Sequence, residues 1–223
     1  MIVSNIIRRV FNVKYANSTA TAFALDVENR QYLVTAKHVI EDAPRTFDLE
    51  FQHEDSWKTL QMDLVGHDPA SDTSVMASNQ LLTEANLVAE ATTAGLVYGQ
   101  DVYFLGFPLG LMGDHAMNMG FPLPFVKRAT LSKFESVSDP ILTLDGINNP
   151  GFSGGPVAFK LRNSEEWRIA GVISGYRYST EPVYSGDQPT GLTHRVNTGL
   201  ISASPISCAL RLIAANPIGM RTS

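Results

Sequence analysis

The amino-acid sequence predicts an all-β protein of the barrel or sandwich type. Short runs rich in β-branched and aromatic residues recur along most of the 223 residues, and clusters of Gly, Pro, Asn and Asp separate them. Only one segment, close to the C-terminus, has a clear helical pattern. Many short strands with few helices are typical of barrels and sandwiches. The length is enough to bury one large or two small hydrophobic cores.

Composition narrows the partners that can be expected. Hydrophobic residues make up 44% of the chain and charged residues 17%, which is typical of a folded globular protein and argues against disorder. The net charge of −5 gives no reason to expect a nucleic-acid partner. No apolar run approaches the roughly 18 residues of a membrane-spanning helix, so no membrane partner is expected.

Cysteine content and the N-terminus bear on the compartment. The single cysteine, Cys208, cannot form an internal disulfide, which fits a reducing environment. The first nine residues lack the basic region and long apolar core of a signal peptide. We therefore expect a cytoplasmic protein, or a secreted or periplasmic one if a leader was removed. The sequence gives no indication of the oligomeric state.

The first half of the chain reads as a series of strands. Residues 6–13 fit either a first strand or a short helix, and the pattern leaves both open. A short helical turn that contains His38 follows the second strand of a hairpin. A polar turn over 66–76 places Asp72 just ahead of another strand. The other predicted strands of this half are Thr21–Val27, Gln31–Thr35, Phe47–Phe51 and Thr59–Val65.

The second half begins after a connection of weak helical character at 80–98, the best candidate for a join between two halves. A Gly-, Met- and Pro-rich mobile loop is expected at 109–125 and another loop at 176–193. A C-terminal helix is predicted over 204–215, with serine as its N-cap and proline at its first helical position. The predicted strands are Asp101–Leu105, Phe125–Leu131, Pro140–Asp145, Val157–Leu161 and Trp167–Ser174.

The segment Asn149–Val157 carries the clearest chemical signal. It places Ser153 among three glycines within five positions, which allows backbone conformations that a side chain would forbid. A nucleophilic serine needs such a setting, with backbone N–H groups aimed at the oxygen that becomes negative during acyl transfer. The N–H groups of Gly151 and Ser153 are the candidate oxyanion hole. A bare G-x-S-x-G is more often only a turn between strands, so a base and its orienting acid must be found elsewhere.

Three segments supply those partners through a resemblance. Thr35–Val39, Val65–Asp72 and Asn149–Val157 resemble the signature segments of trypsin-like serine proteases. The similarity is closest to the disulfide-free bacterial branch of the HtrA/DegP type, without a PDZ domain. Further segments that resemble the family are Gly99–Gly110, Gly171–Gly175 and Asn197–Ile201. The matches follow the right order from about residue 20 to residue 201, which is more specific than any single motif.

The resemblance implies two six-stranded antiparallel β-barrels of the chymotrypsin type, with the active site in the cleft and a C-terminal helix. Residues 1–90 would form the first barrel with His38 and Asp72; residues 91–223 would form the second, with Ser153, the oxyanion hole, the specificity pocket and the helix. His38 would be the general base and Asp72 its orienting acid. Asp68 is a rival for the acid, but Asp72 directly precedes the apolar residues of a strand.

The resemblance also implies a serine endopeptidase with a protein or peptide substrate. We expect no cofactor and no metal ion. The substrate would contact Ile147, which stands six residues before the serine, together with Ser174, Gly175 and Tyr176. Because Ile147 is apolar, a small or medium apolar P1 residue is expected. Simple packing roles for Ile147 and Tyr176 are the alternative.

Two other functions compete with this one. A catalytically inactive trypsin-like fold could serve as a protein-binding module if the loops at 109–125 or 176–193 leave the site unformed. An α/β-hydrolase esterase also carries G-x-S-x-G, but its serine is followed directly by a helix. Gly154-Gly155-Pro156 is a poor helix start, and the chain after Asp187 and His194 is too short for the remaining strands.

Overall fold

A computed structural model describes residues 3–84, 89–134, 136 and 140–222, and most of them lie in antiparallel strands. The helices are α1 (Ser4–Ile7) and α2 (Ile206–Ala215). The strands before residue 95 are β1 (Val10–Tyr15), β2 (Ser18–Val27), β3 (Arg30–Thr35), β4 (Thr46–His53), β5 (Ser56–His67), β6 (Ser74–Ser78) and β7 (Glu90–Ala91). The later strands are β8 (Asp101–Gly106), β9 (Phe125–Lys133), β10 (Leu142–Asp145), β11 (Pro156–Lys160), β12 (Trp167–Ser185), β13 (Gln188–Pro205) and β14 (Met220–Arg221).

The first barrel consists of the six strands β1 to β6. They are ordered β3-β2-β1-β4-β5-β6, and pairing of β3 with β6 closes the barrel. In β4 the inward residues Phe47, Leu49 and Phe51 alternate with the outward Asp48 and Glu50, because successive side chains of a strand point to opposite faces. The short β14 returns from the C-terminus and pairs with the start of β3.

The second barrel also has six strands. They are ordered β11-β8-β9-β10-β13-β12, and pairing of β11 with β12 closes the barrel. The short β7 runs parallel to β12 at its edge. Aromatic and aliphatic side chains fill the interior, among them Phe104, Leu131, Leu144 and Phe159. The predicted pair of six-stranded antiparallel barrels is therefore confirmed.

A shared apolar layer joins the two barrels. Phe23 and Leu25 of β2 pack in one cluster with Leu105 of β8 and with Ile206 and Ile213 of α2. The C-terminal helix thus packs against both barrels where they meet. None of the helices in the described part of the chain is long and apolar enough to cross a membrane.

The structure corrects several boundaries near the termini. Residues 6–13 include both alternatives, since α1 ends at Ile7 and β1 begins at Val10. Helix α2 begins at Ile206, two residues later than predicted. Ser204 and Pro205 are the last residues of β13, and they pair with Val172 and Gly171 of β12. Serine therefore does not cap the helix, because its backbone is held in the sheet.

The prediction of a loop at 176–193 is wrong. Strands β12 and β13 continue beyond the barrel as a long hairpin that turns at Gly186 and Asp187. The segment 109–125 does lack strands up to Phe125; it begins with a 3₁₀ turn at Pro108–Gly110. In the connection at 80–98, the structure shows the short β7, and residues 85–88 lie outside the described residues.

Candidate active site

The serine loop is held between the two barrels. Phe152 is fully buried in the second barrel, with its ring 4.9 Å from that of Phe104. Gly154 has φ +84°, and a side chain there would overlap the Thr21 carbonyl and the Thr35 hydroxyl of the first barrel. Strand β11 then begins at Pro156. The loop therefore lies directly against the end of β3, the strand that leads to His38.

A strand rather than a helix after the serine loop removes the α/β-hydrolase alternative. In that fold the nucleophile stands on a sharp turn from a strand into a helix. Here the loop passes straight into β11, which pairs with β8 and β12 inside the second barrel.

Two hydrogen bonds join His38 to Asp72. The Asp72 carboxylate accepts one from the His38 backbone N–H at 2.9 Å and one from the ring Nδ1 at 2.7 Å. Since an ionised carboxylate only accepts, the ring proton lies on Nδ1 and the lone pair of Nε2 is left for another partner. The hydrogen bond that His38 donates to Asp72 raises the pKa of His38 above its usual 6.5, against the opposing effect of partial burial. The ring is half exposed and can reach a substrate.

Asp68 has a different place. Its carboxylate is buried, accepts a hydrogen bond from the Ala70 N–H at 3.1 Å and pairs with Arg211 of α2 at 3.0 Å. It thereby ties the turn before β6 to the C-terminal helix. The structure brings Asp72, and not Asp68, to the imidazole.

The hydroxyl of Ser153 lies beside the substrate-facing strand. Its Oγ donates a hydrogen bond to the Ser174 carbonyl at 3.5 Å, a long and weak contact. Ser174 also lines a cavity of about 390 Å³ together with His38 and Asp72. Ser174 therefore contacts Ser153 through its carbonyl and also lines the cleft that His38 and Asp72 border.

In the part of the chain that the structure describes, the backbone around Ser153 leaves two N–H groups without a protein acceptor. Gly151 has φ +102°, a value that favours glycine. The carbonyls on either side of its peptide units are turned away: Leu109 N–H donates to Pro150 at 2.8 Å, and the Thr21 hydroxyl donates to Gly151 at 2.7 Å. Within the described residues, the N–H groups of Gly151 and Ser153 donate to no protein acceptor. Both are therefore available to an incoming carbonyl oxygen.

A cavity of about 540 Å³ opens beside Ser153. Of the predicted substrate residues, Gly175 and Tyr176 line it, and Ser174 lines the neighbouring cleft with His38. Ile147 does not line it; its side chain is 52% exposed and lies outside. The remaining lining residues are Asn148, Asn149, Pro150, Tyr178, Arg195 and Asn197.

Sequence reasoning missed several of these residues. Tyr178 and Arg195 belong to the hairpin that the sequence places largely in a loop, so no strand register suggested their position. Thr21 gave no signal at all, since a threonine in a strand is ordinary. In the described ranges, no group of three or more histidine, cysteine or acidic side chains could hold a metal ion.

Comparison with known proteins identifies related sequences. The family model described as trypsin-like peptidase domain matches residues 20–172. The chloroplastic Protease Do-like 1 of Arabidopsis thaliana is 27% identical over 130 residues, which are 58% of this chain and 28% of that protein. The chain thus spans less than a third of this curated relative.

Solved structures share the fold. The HtrA-type protease AlgW with tripeptide has a TM-score of 0.60 at 20% identity, over 96% of this chain and 61% of that one. The serine endoprotease from Yersinia pestis has a TM-score of 0.60 at 17% identity, over 96% and 67% of the two chains. At these identities the likeness concerns the fold alone.

Proposed function

The chain belongs to the trypsin-like peptidase family, and from this premise we propose that it is a serine endopeptidase acting on proteins or peptides. We assign His38, Asp72 and Ser153 as its catalytic triad, and the N–H groups of Gly151 and Ser153 as its oxyanion hole. The division into residues 1–90 for the first barrel and 91–223 for the second stays a prediction, and the short β14 crosses it by pairing with β3.

The observation that carries this proposal is the double hydrogen bond from His38 to Asp72. A carboxylate bound to both the backbone and the ring fixes the imidazole orientation and its Nδ1–H tautomer. Such an arrangement leaves the Nε2 lone pair free to act as a base. A surface histidine with a structural role has no need of this constraint.

The reaction follows from these positions. The Ser153 Oγ attacks the scissile carbonyl carbon while its proton passes to His38 Nε2, and the carbonyl oxygen becomes negative between the Gly151 and Ser153 N–H groups. The imidazolium, stabilised by ionised Asp72, then protonates the leaving amine as the C–N bond breaks. A water molecule attacks the resulting Ser153 ester in the same way, with His38 as base, and releases the carboxylic acid product.

The P1 preference is a separate matter. The prediction of a small or medium apolar P1 residue depends on Ile147, which lies outside the cavity beside Ser153. It stays a prediction, and a cleavage profile on peptides that vary only at P1 tests it. A dominant preference for charged P1 residues would contradict it.

The decisive experiment compares the wild type with Ser153→Ala. We expect the wild type to react with a fluorophosphonate probe and to cleave casein, and the variant to do neither while its circular dichroism spectrum and Tm stay close to those of the wild type. Peptide mapping of the labelled protein should place the probe on Ser153. A folded Ser153→Ala protein that cleaves casein as fast as the wild type would overturn the proposal.

One observation favours the second candidate, an inactive fold that binds proteins. The Ser153 hydroxyl contacts the Ser174 carbonyl and not the His38 ring. Catalytic hydrogen bonds are often loose before substrate binds, so this contact alone does not decide. A wild-type protein that binds unfolded polypeptides, yet neither labels nor cleaves under any tested condition, would support the binding module.

A further inference from the structure

The cavity beside Ser153 has an unusual charge distribution for an apolar subsite. Among the described residues that line it, Arg195 is the only cationic side chain, and none is a carboxylate. Three asparagines and two tyrosines supply most of the remaining wall. Apolar subsites are lined mainly by hydrophobic side chains, so this wall fits a polar or anionic group better.

The hairpin register explains how Arg195 reaches the cavity. Tyr178 pairs with Asn197, and Thr180 pairs with Arg195. Because side chains two positions apart share a face of a strand, all four lie on the same side of the hairpin. Glu181, the acid nearest along the hairpin, pairs with His194 and lies on the opposite face.

The Arg195 guanidinium is held in place without an acidic partner. It stacks on the Tyr178 ring, with its carbon 4.4 Å from the ring centroid. Across the described residues, no aspartate or glutamate oxygen lies within 4.0 Å of it. Stacking fixes the plane of the guanidinium and leaves donor edges for a planar anion.

The asparagines are already engaged with the protein. The Asn197 amide donates to the Asn148 carbonyl at 2.8 Å and accepts from the Gly199 N–H at 3.0 Å. The side-chain amide oxygen of Asn149, Oδ1, accepts a hydrogen bond from the Lys127 ammonium at 3.1 Å. These contacts fix the wall and place a second cation behind it. Arg195 in the wall and Lys127 at the Asn149 side chain are both cationic, which disfavours lysine or arginine side chains in this cavity.

We propose that this cavity is the S1 subsite for a glutamate or aspartate side chain, with Arg195 as the specificity-determining residue. The inference rests on the endopeptidase function proposed above. The P1 carbon chain lies between Tyr176 and the Asn148–Pro150 wall, and its carboxylate receives charge-assisted hydrogen bonds from the guanidinium. Specificity then comes from the hairpin, and not from the residue six positions before the serine.

The test is a set of fluorogenic peptides that are identical except at P1, which is Glu, Gln, Asp, Leu or Lys. Glu and Gln have nearly the same shape, so their ratio isolates the charge. We expect kcat/KM for Glu to exceed that for Gln by about tenfold or more, the scale of one charge-assisted contact. The Arg195→Met variant should reduce this ratio to about one, and Arg195→Glu should shift the preference to Lys.

Arg162→Met is the matched control, because Arg162 is an exposed arginine in the turn after β11 and lines a different cavity. It should keep the Glu/Gln ratio of the wild type. Arg195→Lys retains the charge and should keep part of the preference, which guards against a Met variant that folds poorly. Added salt should lower the Glu/Gln ratio of the wild type, since it screens the ion pair.

The outcomes separate the two proposals. Cleavage of Leu peptides in preference to Glu peptides, with no change in Arg195→Met, overturns the acidic subsite and leaves the endopeptidase standing. If the wild type neither labels nor cleaves, the endopeptidase fails. The acidic subsite is then tested by measuring the affinity of Ser153→Ala for labelled peptides by fluorescence polarisation. The peptides carry Glu or Gln at the same position. Tighter binding of the Glu peptide that Arg195→Met abolishes supports it, and equal binding of the two peptides overturns it.

Discussion

Thr21 connects the first barrel to the serine loop of the second. Its replacement by valine should lower both the free energy of unfolding and kcat. The side chain is fully buried in β2. Its hydroxyl donates to the Gly151 carbonyl at 2.7 Å and accepts from the Phe107 N–H at 3.2 Å. Its own backbone N–H donates to the Ser153 carbonyl at 2.9 Å. One residue therefore holds both ends of the candidate oxyanion hole.

The size of the effect follows from the groups left without partners. Valine has nearly the shape of threonine, so Thr21→Val creates no cavity and removes only the hydroxyl. It leaves the buried Phe107 N–H and the partly buried Gly151 carbonyl without this partner, at about 1–3 kcal/mol for a buried group and less for the carbonyl, or about 2–4 kcal/mol in the free energy of unfolding. Thr21→Ser keeps the hydroxyl and loses one methyl group, which costs about 1 kcal/mol.

The activity of Thr21→Val should fall by more than the loss of folded protein alone explains. Without the Thr21 hydroxyl, the Gly151 carbonyl is free to turn, and the adjoining N–H groups lose their fixed direction. Removal of a whole oxyanion donor costs about 10²–10³ in kcat, so a misdirected donor should cost about tenfold or more. The loss should appear in kcat at a temperature where the variant is fully folded, with KM little changed.

Urea unfolding and steady-state kinetics on the wild type, Thr21→Val and Thr21→Ser make up the assay. We expect the serine variant to resemble the wild type in kcat, and the valine variant to be the less stable of the two. Equal unfolding free energies for Thr21→Val and Thr21→Ser would refute the reasoning. So would a valine variant with wild-type kcat, because the hydroxyl would then have no part in ordering the loop.

Two further predictions concern the triad and the loop backbone. Asp72→Asn should lower kcat by on the order of 10⁴, since an amide does not hold the Nδ1–H tautomer, whereas Asp68→Asn should keep most activity. Asp72 raises the pKa of His38, and only the neutral ring is a base, so wild-type kcat/KM should rise with pH through a midpoint above 6.5. The residual activity of Asp72→Asn should rise with a midpoint at lower pH. Identical midpoints in the two proteins would argue against the pairing of His38 with Asp72. Gly154→Ala should lower the Tm sharply or prevent folding, because its methyl group would overlap the first barrel. The control Gly186→Ala, at φ +60° in open space, should lower the free energy of unfolding by only about 1–2 kcal/mol. Equal losses of stability in the two variants would contradict the close approach at Gly154.

The sequence predicted the parts of the site whose positions depend on short segments. The glycines around Ser153 require a special backbone, so the serine loop could be located from local pattern. His38 follows the end of a buried strand, but only the resemblance of its segment to the family's signature separates it from the other four histidines. Asp72 was preferred over Asp68 because it directly precedes a strand. The structure adds a reason that the sequence does not contain, since Asp68 is committed to Arg211, 143 residues further along the chain.

The hairpin at the ends of β12 and β13 could not be predicted in the same way. Its outer residues are mostly exposed on both faces, so the usual alternation of apolar and polar side chains is absent. Pro182 and Pro189 also argue against a strand interior. They are tolerated because this part of the hairpin projects beyond the barrel, where only the two strands pair with each other.

The catalytic residues can be predicted from the sequence more readily than the residues that set the substrate preference, for the same reason. The proposed triad residues lie in turns directly beside strands of the buried cores, and the apolar pattern of those strands is visible in the sequence. Arg195 reaches the cavity only through the register of an exposed hairpin, and Ile147 fails to reach it although its distance from the serine in the sequence is the expected one. The spacing along the chain locates the nucleophile, but the side chain that meets the substrate depends on which strands cross beside it. An apolar P1 preference and an acidic one therefore follow from different elements, and the Glu, Gln and Leu peptides decide between them.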